Sequence, residues 1–248
     1  MKNRHNFVSL AIALLFVLIL QKFASPQPVF RFLVPAFAGL LAVVWFYNRW
    51  YLRQMEKYNF WIQLRPLLLL SAGFGIFSVL PSELWREIFL VASVPVITLF
   101  ELVLGNLTEN LILNETLFIA FGLFSYFFAS YFYAPAYQPY YALGVFISSS
   151  LLARCFYEFL PQDDKVKIVS SLVLGLFCAE LFWVMNFLPF HFSFLAFLMF
   201  NLFYFCLIIN NYYLFHSLSA KKIQFHLSLL MVCMFLALLA TPWVIMRQ

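Results

Sequence analysis

The stretch FVSLAIALLFVLIL, residues 7–20, has no charged side chain. Together with its neighbours it is long enough to cross a bilayer, which takes about 20 mostly apolar residues in a helix. Lys2 and Arg4 precede it, as basic residues precede the apolar core of a secretory signal peptide. A cleavage site is poorly matched, because Pro26 directly follows small residues, and many more apolar segments come after it. The sequence therefore predicts an uncleaved first transmembrane helix.

The composition of the whole chain agrees with this first segment. Of the 248 residues, 65% are hydrophobic and 10% are charged, against about 45–50% apolar and about 25% charged in ordinary soluble domains. A soluble domain of this size has too small an interior to hide so much apolar surface, so the excess must face lipid. The net charge of +5 is better explained by basic loops that orient a membrane protein than by a nucleic-acid partner.

Turn-forming Pro, Gly and Asn residues divide the chain into about nine apolar segments of spanning length. The sequence thus predicts an all-α protein, a polytopic transmembrane helix bundle that forms a single integral membrane domain over residues 1–248. The predicted spans are 6–23, 29–48, 60–80, 86–104, 111–133, 140–160, 166–187, 191–213 and 223–246.

The basic residues predict the orientation of these helices, because cytoplasmic loops carry an excess of Lys and Arg. With the N-terminus inside, the inner segments hold Lys2, Arg4, Arg49, Arg53, Lys57, Lys165, Lys167, Lys221 and Lys222. The outer side holds Lys22, Arg31, Arg86 and Arg247. The excess on one side favours an N-in, C-out orientation of a multi-pass membrane protein.

One carboxylate, Glu180, interrupts the apolar run CAELFWVMNFLPFHF, residues 178–192. Asn201 lies on the next predicted helix at a similar depth, across the turn at Leu188-Pro189. One interpretation is a hydrogen bond from Glu180 to Asn201 or a neighbouring Ser that fixes this helical hairpin. The other is a proton or cation site, because ionisable residues inside a membrane are candidates for function. The sequence leaves both open.

A second polar set is expected near the cytoplasmic face. Alternating helix directions bring Arg65, Glu101, Glu115 and Arg154 to a similar inner depth. Interhelical ion pairs are one interpretation. The other is an inward-facing cavity for an anionic headgroup or substrate, because the guanidinium fork suits phosphate and carboxylate groups.

Catalytic and metal-binding patterns are missing from the sequence. It contains no GxSxG, HExxH or paired-Asp motif, and its four cysteines form no CxxC pair. We therefore predict no catalytic residue, no metal ligand and no cofactor, and the sequence leans against an enzyme without deciding the question.

Two stretches near the end of the chain carry a resemblance. They are AELFWVMNFLPF, residues 179–190, and SLSAKKIQFH, residues 217–226, which opens a last helix that reaches Thr241, Pro242 and Trp243. Over roughly the last 80 residues the chain resembles an uncharacterised family of multi-spanning inner-membrane proteins from reduced-genome bacteria. The resemblance implies a bacterial inner-membrane location and no activity.

These observations favour a non-catalytic membrane scaffold, or a subunit of a membrane complex, over other classes. Its partners would be the lipid bilayer and either another membrane protein or further copies of the chain. The alternative is a transporter or lipid-handling protein that uses the inner-leaflet Arg/Glu cluster together with Glu180. An intramembrane enzyme stays the third possibility.

Overall fold

The computed structural model describes residues 2–23, 30–55, 59–80, 82–104, 109–215 and 217–240. Within them the fold is all-α, with nine α-helices, one short 3-10 turn at Pro135–Tyr137 and no strand. The helices are α1 Lys2–Phe23, α2 Phe30–Gln54, α3 Phe60–Val79, α4 Glu83–Val103, α5 Glu109–Tyr133, α6 Gln138–Tyr157, α7 Asp164–Met185, α8 Phe192–Leu214 and α9 Ala220–Ala240.

The predicted all-α helix bundle is confirmed, with one helix for each predicted apolar segment in the described ranges. Seven of these helices are long and apolar enough to cross a membrane, which indicates a helical membrane protein. The two others are α4, which carries four charged residues, and α6, which begins with polar residues and contains three consecutive serines. Pro26, Lys57, Arg247 and residues 241–246, all used in the sequence predictions, lie outside the described residues.

Two helix starts follow from local hydrogen bonding. The Asn59 side chain accepts a hydrogen bond of 2.8 Å from the amide of Trp61, and Ser82 accepts one of 3.4 Å from the amide of Trp85. Each cap satisfies an amide that the first helical turn leaves without a partner. These caps fix where α3 and α4 begin after the chain reverses direction.

The chain divides into two compact units, Met1–Ile112 and Leu113–Gln248. The prediction of a single integral membrane domain stays a prediction. In the first unit, α1 packs against α2, α3 and α4. Its buried side chains Ile12, Phe16 and Leu20 form the core with residues of α2, α3 and α4. The other side of α1, which carries Phe7, Leu14 and Leu18, is exposed, so this apolar helix is buried on one face only.

In the second unit, α6 and α7 approach most closely where α7 has Gly175. A Cβ atom at Gly175 would overlap Oγ of Ser150 and lie 2.8 Å from the carbonyl oxygen of Phe146. The missing side chain therefore allows the two backbones to meet. Aromatic rings join α5 to α7 and α8, and Phe128 lies 4.7 Å from Phe182, measured between ring centroids.

Candidate functional site

The six residues singled out from the sequence fall into two groups by burial. Five are buried, namely Arg65 and Glu101 in the first unit and Glu115, Arg154 and Asn201 in the second. Glu180, in the second unit, is exposed. Burial is ordinary for a polar group that has found partners, whereas an exposed carboxylate on an apolar helix needs a separate explanation.

Glu180 lies on an apolar stripe of α7 that faces away from the rest of its unit. Val173, Phe177 and Val184 lie three to four residues apart along the same side of the helix, and all three are exposed. Val173 and Val184 expose 62% and 60% of their surface. Residues at this spacing share one helix face. Glu180 forms no hydrogen bond or ion pair with any described residue.

The predicted hydrogen bond between Glu180 and Asn201 is wrong. Asn201 Nδ2 instead donates a bond of 2.7 Å to the carbonyl oxygen of Phe197, one turn back on its own helix. The rotation of α7 explains the difference, because Cys178 and Phe182 are both 0% exposed and hold the inner face. Each is two residues from Glu180, or about 200° around the helix, so the carboxylate points outward.

A buried polar cluster in the first unit joins α1, α2 and α4 through His5. Nε2 of His5 lies 2.9 Å from the main-chain oxygen of Glu101, and Nδ1 lies 2.9 Å from the hydroxyl of Tyr47. A carbonyl oxygen only accepts, so Nε2 carries a proton, and in the neutral ring Nδ1 accepts from Tyr47. The His5 ring also stacks on Tyr51 with 3.7 Å between centroids.

The carboxylate of Glu101 belongs to the same cluster. Its Oε1 accepts a hydrogen bond of 3.3 Å from Nδ2 of Asn48, and both residues are buried. Sequence reasoning selected Glu101 but missed His5, Tyr47 and Asn48. The available signal was Asn48, a polar side chain that an apolar helix buries only when a partner is present.

Arg65 is buried in α3, where its Nη2 donates a hydrogen bond of 3.0 Å to the main-chain oxygen of Ile112. Gln63, two residues earlier, donates a bond of 2.7 Å from Nε2 to the main-chain oxygen of Trp45. Both side chains thus bind main-chain oxygens of other helices. Such contacts hold helices together where no water reaches the backbone.

Arg154 links the end of α6 to the start of α7. It forms ion pairs with Glu158, four residues on, and with Asp164 through Nη2 at 3.0 Å. Lys167 Nζ donates a bond of 3.3 Å to the main-chain oxygen of Glu158. The signal available in the sequence was the spacing of four residues between Arg154 and Glu158, which is typical of ion pairs on one helix.

The four charged residues expected to converge lie in different units, Arg65 and Glu101 in one and Glu115 and Arg154 in the other. Their convergence stays a prediction. Among the described residues, no group of three or more His, Cys, Asp or Glu side chains is arranged to hold a metal ion.

Comparison with protein-family models, with curated proteins and with solved structures gives no match for this chain. The candidate residues are therefore interpreted from their geometry alone. Two features stand out, namely the buried bridge at His5 and Glu101, which ties three helices together, and Glu180, which faces outward.

Proposed function

We propose that this protein is a non-catalytic subunit of a membrane complex, and that the exposed face of α7 contacts a transmembrane helix of a partner subunit. The observation that supports the proposal most directly is the position of Glu180 on an exposed apolar stripe, without a partner among the described residues. In a monomer this carboxylate would face lipid.

The depth of Glu180 makes that exposure unfavourable. With a rise of 1.5 Å per residue, Glu180 lies about 24 Å from the start of α7 at Asp164. Helical side chains lean toward the N-terminus, so the carboxylate leans back toward the middle of the helix. Glu180 lies five residues before the end of α7 at Met185, so a charge there costs part of the about 2.5–3.5 kcal/mol that insertion scales give for the helix centre. A hydrogen-bond donor on a partner helix would offset this cost.

The residues around Glu180 suit a helix–helix contact. Val173, Phe177 and Val184 supply an apolar seam with a repeat of three and four residues, which is the spacing of packed helix pairs. The buried polar groups of the chain, by contrast, mostly serve internal contacts, as Arg154 does with Glu158 and Asp164. A subunit of a complex needs stable internal packing and an exposed surface that binds its partner. The internal polar contacts would supply the first, and the exposed stripe of α7 with Glu180 would supply the second.

The experiment places a photoreactive amino acid at Val173 or Val184 on α7, and at Met231 or Phe235 on α9 as matched exposed apolar controls. We expect one discrete protein adduct from the α7 positions and only lipid adducts from α9. Glu180→Leu should abolish the protein adduct, whereas Glu180→Gln should retain it because the amide still forms hydrogen bonds.

Equal adducts from α7 and α9, or an α7 adduct that survives Glu180→Leu, would contradict the proposal. An adduct with twice the mass of the chain would identify the partner subunit as a second copy. The complex would then be a homo-oligomer, and Glu180 would contact a helix of the second copy.

The proposal includes a multi-pass, N-in and C-out location in the inner membrane of a bacterium. The apolar helices support membrane insertion, the distribution of Lys and Arg supports the orientation, and the resemblance of the last 80 residues supports the bacterial inner membrane. Labelling from either side of the membrane tests the orientation directly.

A second candidate is a transporter or lipid-handling protein. It is favoured by the burial of Arg65, Glu101 and His5 inside the first unit, because buried ionisable groups in membrane proteins often mark a pathway. Native mass spectrometry of the gently extracted protein tests it. A bound small anion that is lost in Arg65→Ala or Arg154→Ala, with helix content unchanged, would favour this function over the scaffold.

A further inference from the structure

A groove on the surface of α2 lies outside both features described above. Its lining residues are Phe46, Arg49, Trp50, Arg53 and Gln54. They follow one another at steps of three, one, three and one residues, so they share one face of the helix. Phe46 and Trp50 are 66% and 52% exposed, so the groove is open toward the surroundings of the helix.

The chemistry of the groove changes along the helix axis. Phe46 marks its apolar end, Arg49 and Trp50 lie next to each other in the middle, and Arg53 with Gln54 ends it at the last turn of α2. From Phe46 to Gln54 the rise is about 12 Å. An apolar end, an aromatic ring of interfacial type and a cationic end occur in the order in which a phospholipid presents its acyl chains, glycerol and phosphate.

We propose that this groove binds the headgroup and upper acyl region of one anionic phospholipid. Arg49 and Arg53 would bind the phosphate, because each guanidinium has five N–H donors and can bind phosphate while it keeps another contact. Phe46 and Trp50 would pack against the glycerol and acyl carbons. The inference rests on the proposed membrane location.

The side chains, rather than the backbone, must supply the positive charge at this site. The groove lies at the C-terminal end of α2, where the helix dipole places partial negative charge. An anion there depends on Arg49 and Arg53. Each basic side chain near an anionic surface strengthens binding by about fivefold, so loss of both should weaken it by about 25-fold.

Native mass spectrometry of the full chain in detergent, titrated with phosphatidylglycerol or phosphatidylcholine, tests the site. We expect one phosphatidylglycerol to bind in preference to phosphatidylcholine. The double variant Arg49→Gln with Arg53→Gln should lose this preference. The matched control, Lys165→Gln with Lys221→Gln, removes two positive charges at exposed positions elsewhere and should keep it.

Two results would overturn the proposal, namely equal binding of both lipids to the unaltered chain and an equal loss of phosphatidylglycerol in the control variant. Replacement of both arginines by lysine should give intermediate binding, because the charge stays but the two-pronged hydrogen bonding is lost. Carbonate extraction of membranes from the same cells reports insertion separately. A chain that is extracted by carbonate would refute the membrane location, whereas an inserted chain without lipid preference would refute the groove alone.

Discussion

The imidazole of His5 in α1 donates a hydrogen bond of 2.9 Å from Nε2 to the main-chain oxygen of Glu101 in α4. The two residues are 96 positions apart, and the same ring contacts the hydroxyl of Tyr47 in α2. One side chain near the start of the chain therefore joins three helices of the first unit. We therefore expect His5 to stabilise the first unit, although its position near the start of the chain does not suggest this.

His5→Phe should lower the free energy of unfolding by about 1–3 kcal/mol, because it removes the two hydrogen bonds that the ring makes with the main-chain oxygen of Glu101 and the hydroxyl of Tyr47. Thermal unfolding of the protein in detergent measures the change. Asn6→Ala, at the exposed neighbouring position, is the control and should unfold as the unaltered chain does. Equal stability of both variants would show that the bridge contributes nothing.

Gly175→Ala should destabilise the second unit by about 1–3 kcal/mol through overpacking. The added methyl group would overlap Oγ of Ser150 and lie 2.8 Å from the carbonyl oxygen of Phe146. The hydroxyl can rotate away, but the main-chain oxygen of Phe146 cannot, so Ser150→Ala in the same chain should restore only part of the loss. Unfolding of the single and double variants in detergent checks both statements.

Gly39→Ala is the matched control for that substitution. Gly39 also lies inside a helix, but a Cβ atom there would meet nothing within 4 Å apart from its chain neighbours and the nearby backbone of its own helix. Since Ala has a higher helix propensity than Gly by about 1 kcal/mol, the variant should be as stable as the unaltered chain or slightly more so. If Gly39→Ala also lowers the free energy of unfolding, then Gly-to-Ala changes destabilise this protein without a steric clash. The loss in Gly175→Ala would then no longer be evidence for the close contact of α6 and α7.

Labelling with a membrane-impermeant maleimide should reveal the orientation of the chain. In a variant whose four cysteines are replaced by Ala, Phe187→Cys, in the turn after α7, should react from outside intact cells. Ser217→Cys, in the turn before α9, should react only after the cells are opened. Phe187 and Ser217 both belong to the described residues. The reverse pattern would invert the orientation predicted from the Lys and Arg distribution.

The fold class could be predicted because it depends on composition and on the positions of the turn-forming residues. A chain with so much apolar sequence between Pro, Gly and Asn breaks has few alternatives to a set of long helices. The rotation of each helix could not be predicted in the same way. Glu180 faces outward because Cys178 and Phe182 pack inward, and in a sequence that is apolar on every side nothing distinguishes those two faces.

The candidate site shows the same limit. Glu101 and Arg65 could be selected because charge is rare in apolar helices, and both are buried. Their partners could not be, since Arg65 binds the main-chain oxygen of Ile112 and His5 binds that of Glu101. Every residue carries such an oxygen, so the sequence gives no signal for which one is used.

Glu180→Leu should leave the free energy of unfolding of the isolated chain unchanged within about 0.5 kcal/mol, because Glu180 forms no hydrogen bond or ion pair with the described residues and its stripe is exposed. Arg154→Gln should lower that free energy by about 2 kcal/mol, since it breaks the ion pairs with Glu158 and Asp164. Both values come from denaturant unfolding in detergent. A difference between the two variants would show that Arg154 stabilises the fold of the isolated chain, whereas Glu180 does not and would contribute only to binding in the assembled complex. If Glu180→Leu destabilises the isolated chain as much as Arg154→Gln does, the carboxylate serves the fold itself, and the proposed contact on α7 loses its main support.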